Sequence, residues 1–540
     1  MRIRSITSLF CLWSLAFSFW AIAPAFANNL QITGFSDYST DTSANTTTFT
    51  FNVTQDNSWR NATNHDAVWI FLKYSTDGGA SWNHGSMSGS GTNPTGFNAP
   101  TGFEIKVPAD EKGFFLQRTD LAAGSISASG VRVVWDYGQD GLSDTTAQAG
   151  NTTLKIFGLE MVYIPEGAFY AGDGSTNNSS FRQGSSDADP WYVESENAIS
   201  VTNATANGYY YTSSGVSGEN GTATTFLIPA QFPKGYQAFY LMKYELTEGQ
   251  WVSFFNTLTT DQKTIRDITS SDQAGKNSDA VIRRNTVNWD SASPLKNAKT
   301  SRPDRPVSYV SWPDICAYAD WAALRPITEL EFEKAARGAG ITAVSGEYAW
   351  GTTSGTIAVT FSTTPENGTE VFITAGPANH VGNQTFSRGD DYLGAQYAQG
   401  PARAGIFATS TSTRITSGAG YYGNMELTGN LAEPAVTVGR SQGRVFLGTH
   451  GDGALTTTTT NEGNATNLDW PGINAVNSTR GVTATPGMGY RGYDWLNAIE
   501  GFTSLRVYAS YDPDSVGDVG QRFGDTVDVS FGGRLGRTAE

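Results

Sequence analysis

The sequence predicts a mainly β chain of α+β class in two parts: an all-β sandwich followed by a compact α+β domain. Three observations lead there. Apolar and polar positions alternate repeatedly through residues 28–157. Helix-start signatures are legible only after residue 240. Sixty glycines and many Ser, Thr and Asn residues punctuate the whole length. The 540 residues are enough for two or three domains, and 14 Trp, 23 Tyr and 29 Phe can fill sizeable cores. The net charge of −16 argues against a nucleic-acid partner, whose phosphates it would repel.

The first element is a targeting segment. Arg2 and Arg4 precede the apolar run Ile6 to Ala23, and Ala25-Phe26-Ala27 has the small-x-small form of a cleavage site. A signal peptide over 1–27 is expected, giving an exported chain that is extracellular, on the cell surface or periplasmic. No later run of about 18 apolar residues could span a membrane. Of the two cysteines, Cys11 and Cys316, only Cys316 would survive cleavage. That excludes an intramolecular disulfide and a Cys-type zinc site in the mature chain. The four histidines, His65, His84, His380 and His450, have no helical metal-ligand spacing.

Residues 28–157 read as an immunoglobulin-like sandwich. Thr47-Phe49-Phe51-Val53, Val68-Ile70-Leu72-Tyr74 and Val131-Val133-Trp135 each place apolar groups at every second position. Asp77-Gly78-Gly79 and Asp140-Gly141 mark turns between strands. Trp59, Trp69, Trp82 and Trp135 are expected in the core rather than on a sugar-stacking platform.

The pattern changes at Gly158, so a second domain is expected over 158–540. A Ser/Asn/Gly/Thr-rich insertion covers 171–230, and the ordered signal resumes at Ala238. Thr247 and Gln250 form a T-x-x-Q capping box, after which Trp251, Phe254, Phe255 and Leu258 share one helical face. Ser311 and Asp314 start a second helix, with Ile315, Ala319 and Ala322 on one face and Cys316 as a packing residue beside them. Thr328 and Glu331 start a third, which Gly338 ends after Arg337.

Several segments now fall in a recognisable order. They are Gly158 to Phe169, Arg305 to Trp321, Leu324 to Gly338, Tyr348-Ala349-Trp350-Gly351, Tyr422 to Glu433, and Phe531 to Arg537. Together they resemble the formylglycine-generating enzyme (sulfatase-modifying factor) family, whose domain is a variant of the C-type lectin fold. The resemblance runs from 158 to the C-terminus, with insertions at roughly 171–230, 352–375 and 455–500. It implies a copper-binding cysteine pair after an R-G-G-S-W segment. The matching stretch is set at Leu447 to Gly453, followed by Ala454-Leu455 and five threonines, and it holds no cysteine. No copper and no catalytic or cofactor-binding residue is therefore expected. The iron-dependent branch of the family needs an upstream helical bundle, and the upstream region here is β.

The resemblance also implies structural calcium. Glu426 and Glu433 would bind by side chain, and Gly429 and Leu431 by carbonyl. A second set would comprise Asn379, Asp390 and the carbonyls of His380 and Tyr392. The expected function is an exported, non-catalytic binding or structural protein, active in surface recognition or extracellular assembly. Its partner would be a glycan, a protein or further copies of itself, with no nucleic acid and no membrane span. Two alternatives stand beside it: a metal-dependent oxidoreductase with an atypical site near His450 and Asp452, and a ligand-variable C-type lectin protein.

Overall fold

The computed structural model describes residues 29–148, 150–172, 174, 181–211, 225–270, 275–289, 295–342, 344–345, 347–353, 360–361, 372–373, 400–409, 411–457, 462–492, 494–495 and 531–540. The expected signal peptide and the second calcium set (Asn379, His380, Asp390 and Tyr392) lie outside these residues. The chain is mostly β with few helices. No helix among the described residues is long and apolar enough to cross a membrane.

The N-terminal strands are β1 (Gln31–Asp41), β2 (Thr46–Trp59), β3 (Asp66–Ser75), β4 (Asn83–Gly85), β5 (Gly91–Thr92), β6 (Phe103–Val107), β7 (Phe114–Arg118) and β8 (Ala123–Asp136). There follow β9 (Thr153–Ile164), β10 (Phe239–Met242), β11 (Arg325–Pro326), β12 (Glu433–Val436), β13 (Met488–Arg491) and β14 (Leu535–Thr538). A nine-stranded antiparallel sheet runs β11-β14-β10-β9-β3-β7-β6-β5, with β4 also paired to β3. A three-stranded sheet, β1-β2-β8, packs on one face of its N-terminal part.

β3 is buried along its whole length, and its alternation serves two cores. Val68, Ile70, Leu72 and Tyr74 pack with Phe49, Phe51 and Val53 of β2 and with Val131, Val133 and Trp135 of β8. Ala67, Trp69 and Phe71 point the other way, into a larger core with Phe157, Leu159, Met161, Phe254 and Trp321. The expected domain boundary at 157/158 falls inside β9. That strand pairs with β3 over ten residues, from Asp66↔Val162 to Ser75↔Thr153. Gly158 sits opposite Ile70, where a Cβ would lie 2.9 Å from the Ile32 side chain. The change of pattern at Gly158 therefore marks a close approach between sheets within one strand.

The three expected helices form where their caps place them: α1 (Glu248–Phe255), α3 (Trp312–Trp321) and α4 (Glu329–Arg337), each with a complete capping box. α2 (Thr260–Arg266) starts from another T-x-x-Q box, Thr259 and Gln262, which the sequence reading passed over. Trp69 and Trp135 are fully buried. Trp59 and Trp82 are only half-buried, with Lys243 over the ring of Trp59 at 4.6 Å and Lys155 over that of Trp82 at 4.2 Å.

Candidate functional site

The G-N-L-A-E loop leads into β12. Left-handed backbone at Glu426, Gly429 and Asn430 coils it tightly, and the Gly429 N–H donates to the Gly492 carbonyl at 2.8 Å. This coil brings Glu426, Gly429, Leu431 and Glu433 into one loop beside Arg534, just before β14.

Glu433, expected as a metal ligand, gives both its oxygens to Arg534. Nε reaches each at 2.9 Å, and Nη2 reaches Oε1 at 2.7 Å. Arg534 also donates to the carbonyls of Met242 and Met425. A third carboxylate, Glu245, was not foreseen; it accepts from the Leu431 N–H at 2.8 Å and from the Asn430 amide. Oε1 of Glu426 accepts from the Gly405 N–H at 2.9 Å, while its Oε2 is buried with no hydrogen-bond donor among the described residues.

Three buried carboxylates thus share one guanidinium. Burial lifts the Glu245 carboxyl well above its ordinary range, with Glu433 adding to the shift. Burial also pushes Glu426 up to about 7, against the opposing pull of Arg534. The loop offers one unspent oxygen acceptor of the kind a hard cation uses, but its carboxylates do not converge as a metal-ligating group among the described residues. A carboxylate has about four lone-pair sites, so the Arg534 pairing leaves Glu433 some remaining acceptor capacity.

The stretch 447–453 is knitted into packing. The Gly451 N–H donates to the Leu324 carbonyl, and the Asp452 and Gly453 N–H groups donate to Asp320 Oδ1. Lys73 of β3 reaches across and donates to the Gly453 carbonyl at 3.1 Å. The His84 ring lies against Gly453, where a Cβ would meet Nδ1 at 2.2 Å. Burial pushes Lys73 down to about 7 and Asp320 up to about 7.

His450 and Asp452 serve separate partners. His450 Nε2 accepts the Thr538 N–H at 3.0 Å, and the Asp452 carboxylate accepts the Ala454 N–H at 2.8 Å. Among the described residues, no three His, Cys, Asp or Glu side chains form a metal-ligating group. Cys316 is fully buried in α3, and burial raises its thiol far above the reactive range.

The placement of the R-G-G-S-W match needs correction. Arg491-Gly492-Tyr493-Asp494-Trp495 is a closer match than 447–453, and it follows directly on β13, which pairs with β12 in the register Glu433↔Arg491. The shared R-G and W were legible in the sequence. Arg491 is buried between two carboxylates of α4, at 2.6 Å from Glu329 and 3.0 Å from Glu333. The sequence after Trp495 also contains no cysteine.

Residues 158–386 match the model of the Sulfatase-modifying factor enzyme 1-like domain. The chain is 44% identical over 65 residues to the formylglycine-generating enzyme of Streptomyces coelicolor, covering 12% of this chain and 20% of that enzyme. It is also 44% identical over 63 residues to the formylglycine-generating enzyme of Thermomonospora curvata, again covering 12% and 20%. The chain thus spans about a fifth of the length of the curated relatives it matches.

Proposed function

We propose that the chain is an exported, non-catalytic binding or structural protein for surface recognition or extracellular assembly. In this reading its second part is a C-type lectin fold variant of the sulfatase-modifying-factor type. One observation carries it: the sequence has no cysteine after Cys316, so neither 447–453 nor the segment following Trp495 can offer thiolates to a soft metal. The basic-then-apolar N-terminus supports export. Copper-loaded protein incubated with a sulfatase-type cysteine peptide should leave the peptide mass unchanged; turnover to formylglycine defeats the proposal.

Structural calcium belongs to the same reading. Glu426, the Gly429 and Leu431 carbonyls, and Glu433 through its remaining lone pairs would hold it. The ion would offset the buried acidic excess and fix the loop. A ligand that binds only the folded state stabilises it by ~2.7 kcal/mol at one hundred times its Kd. Chelation should therefore lower the melting temperature of the wild type and leave Glu426→Gln nearly unaffected. A wild-type melting temperature indifferent to chelator removes calcium from the reading.

A further inference from the structure

A cleft of about 700 Å³ opens where the N-terminal strands meet the second part of the chain. This lies within the ~300–1,000 Å³ typical of small-molecule sites, and such a junction is a common place for one. Its lining includes Arg60, His65, Lys106, Tyr163, Glu166 and Tyr240.

The floor is a relay of polar groups. The Gln117 amide nitrogen donates to Glu104 at 2.6 Å, so its Oε1 is the accepting end. That oxygen receives the Tyr240 hydroxyl at 3.0 Å and His65 Nε2 at 2.8 Å. His65 Nε2 must then carry the proton, which leaves Nδ1 as an acceptor. Burial and the nearby Arg60 keep the imidazole neutral. The Tyr163 ring lies parallel to His65 with centroids 4.7 Å apart, so the cleft has a flat aromatic element beside its polar ones.

Arg60 is the unspent group. Its Nη1 is buried and has no hydrogen-bond partner among the described residues, and its ion pair with Glu104 is loose at 3.9 Å. Lys106 stands beside the same carboxylate at 3.7 Å. A guanidinium with free donors suits a planar, bidentate anion. A wholly apolar ligand would leave the polar lining without partners.

We propose that this cleft binds a carboxylate-bearing saccharide. Its carboxylate would sit on Arg60 and Lys106, its hydroxyls on His65 Nδ1 and Glu166, and its ring along Tyr163. The proposal rests on the reading of the chain as a binding protein and gives that reading a ligand class.

The test is calorimetric titration of the purified chain with tri-galacturonate, and with maltotriose as the neutral counterpart. Tri-galacturonate should bind at least about tenfold more tightly than maltotriose, and Arg60→Gln should remove about tenfold of its affinity. Lys106→Gln, at a more exposed position, should weaken binding in the same direction if the Arg60 variant folds poorly. No binding of tri-galacturonate, equal affinity for the two sugars, or wild-type binding by both variants overturns the proposal. Each of those outcomes leaves the cysteine-peptide assay untouched. Formylglycine formation would defeat the non-catalytic reading without altering the titration.

Discussion

Arg325, Arg491, Arg534 and Arg537 are among the largest fully buried side chains. Arg325 holds Glu331 through two contacts, Arg491 bridges Glu329 and Glu333, Arg534 holds Glu433, and Arg537 pairs with Asp110 while lying over the Trp69 ring. None of this was legible beforehand. Arginine is ordinarily a surface residue, and burial of the pair depends on segments far apart in sequence. The buried carboxylate Glu245 was missed for the same reason. The motif placed Glu426 and Glu433 in one loop, but nothing local revealed the guanidinium between them.

Lys73 offers the clearest residue-level test. Burial lowers its ammonium from 10.5 to about 7, with Asp320 and Asp452 opposing the shift. Between those values the unfolded chain holds a proton that the folded chain has released, so this group's contribution to stability rises with pH from about 7 to 10.5. Lys73→Met should flatten that slope. At pH 10 it should cost about 1 kcal/mol, the bond to Gly453 being lost. Urea unfolding of both proteins across this range is the measurement, and parallel pH profiles would refute the assignment.

Among elements, the helices were read well because their signals are local. A capping box spans four residues and needs no tertiary partner, so α1, α3 and α4 were placed from sequence. α2 carries the same signature but has only seven residues, too few for an apolar stripe to draw notice. Strand partners were not readable. Phe239 of β10 pairs with Thr538 of β14, and nothing near either residue announces the other. Thr328 tests the value of a cap within this frame. Its hydroxyl accepts from the Glu331 N–H and donates to the Pro233 carbonyl at 3.0 Å. Thr328→Ala should cost about 1–2 kcal/mol in denaturant unfolding, the upper part of the cap range because two bonds go. A change too small to measure would show that packing alone holds α4.

At the scale of the whole molecule, the nine-stranded sheet joins what the composition divides. Alternation in residues 28–157 was legible, and so was the helix-bearing second part. The sharing of β3 was not, because alternation reveals two faces without saying what covers each. A fragment of residues 158–540 would lack β3 and half of β9, leaving Phe254 and Trp321 without Trp69, Phe71 and Phe157. The full chain should unfold in one calorimetric transition, and that fragment should show no cooperative transition. Two well-separated transitions, each reproduced by its fragment, would contradict this.

The two-sided strand also governs which heritable changes the gene can tolerate. In an ordinary half-exposed strand, losing one codon turns apolar side chains toward water. In β3 no face is open to water, so a single-codon deletion would trade the contents of two interiors. Trp69, Phe71 and the Lys73 amine would be driven into the filled core between β3 and β2, while Val68, Ile70 and Leu72 would face hollows shaped for indole and phenyl rings. Among related genes the ten codons of β3 should therefore keep their length.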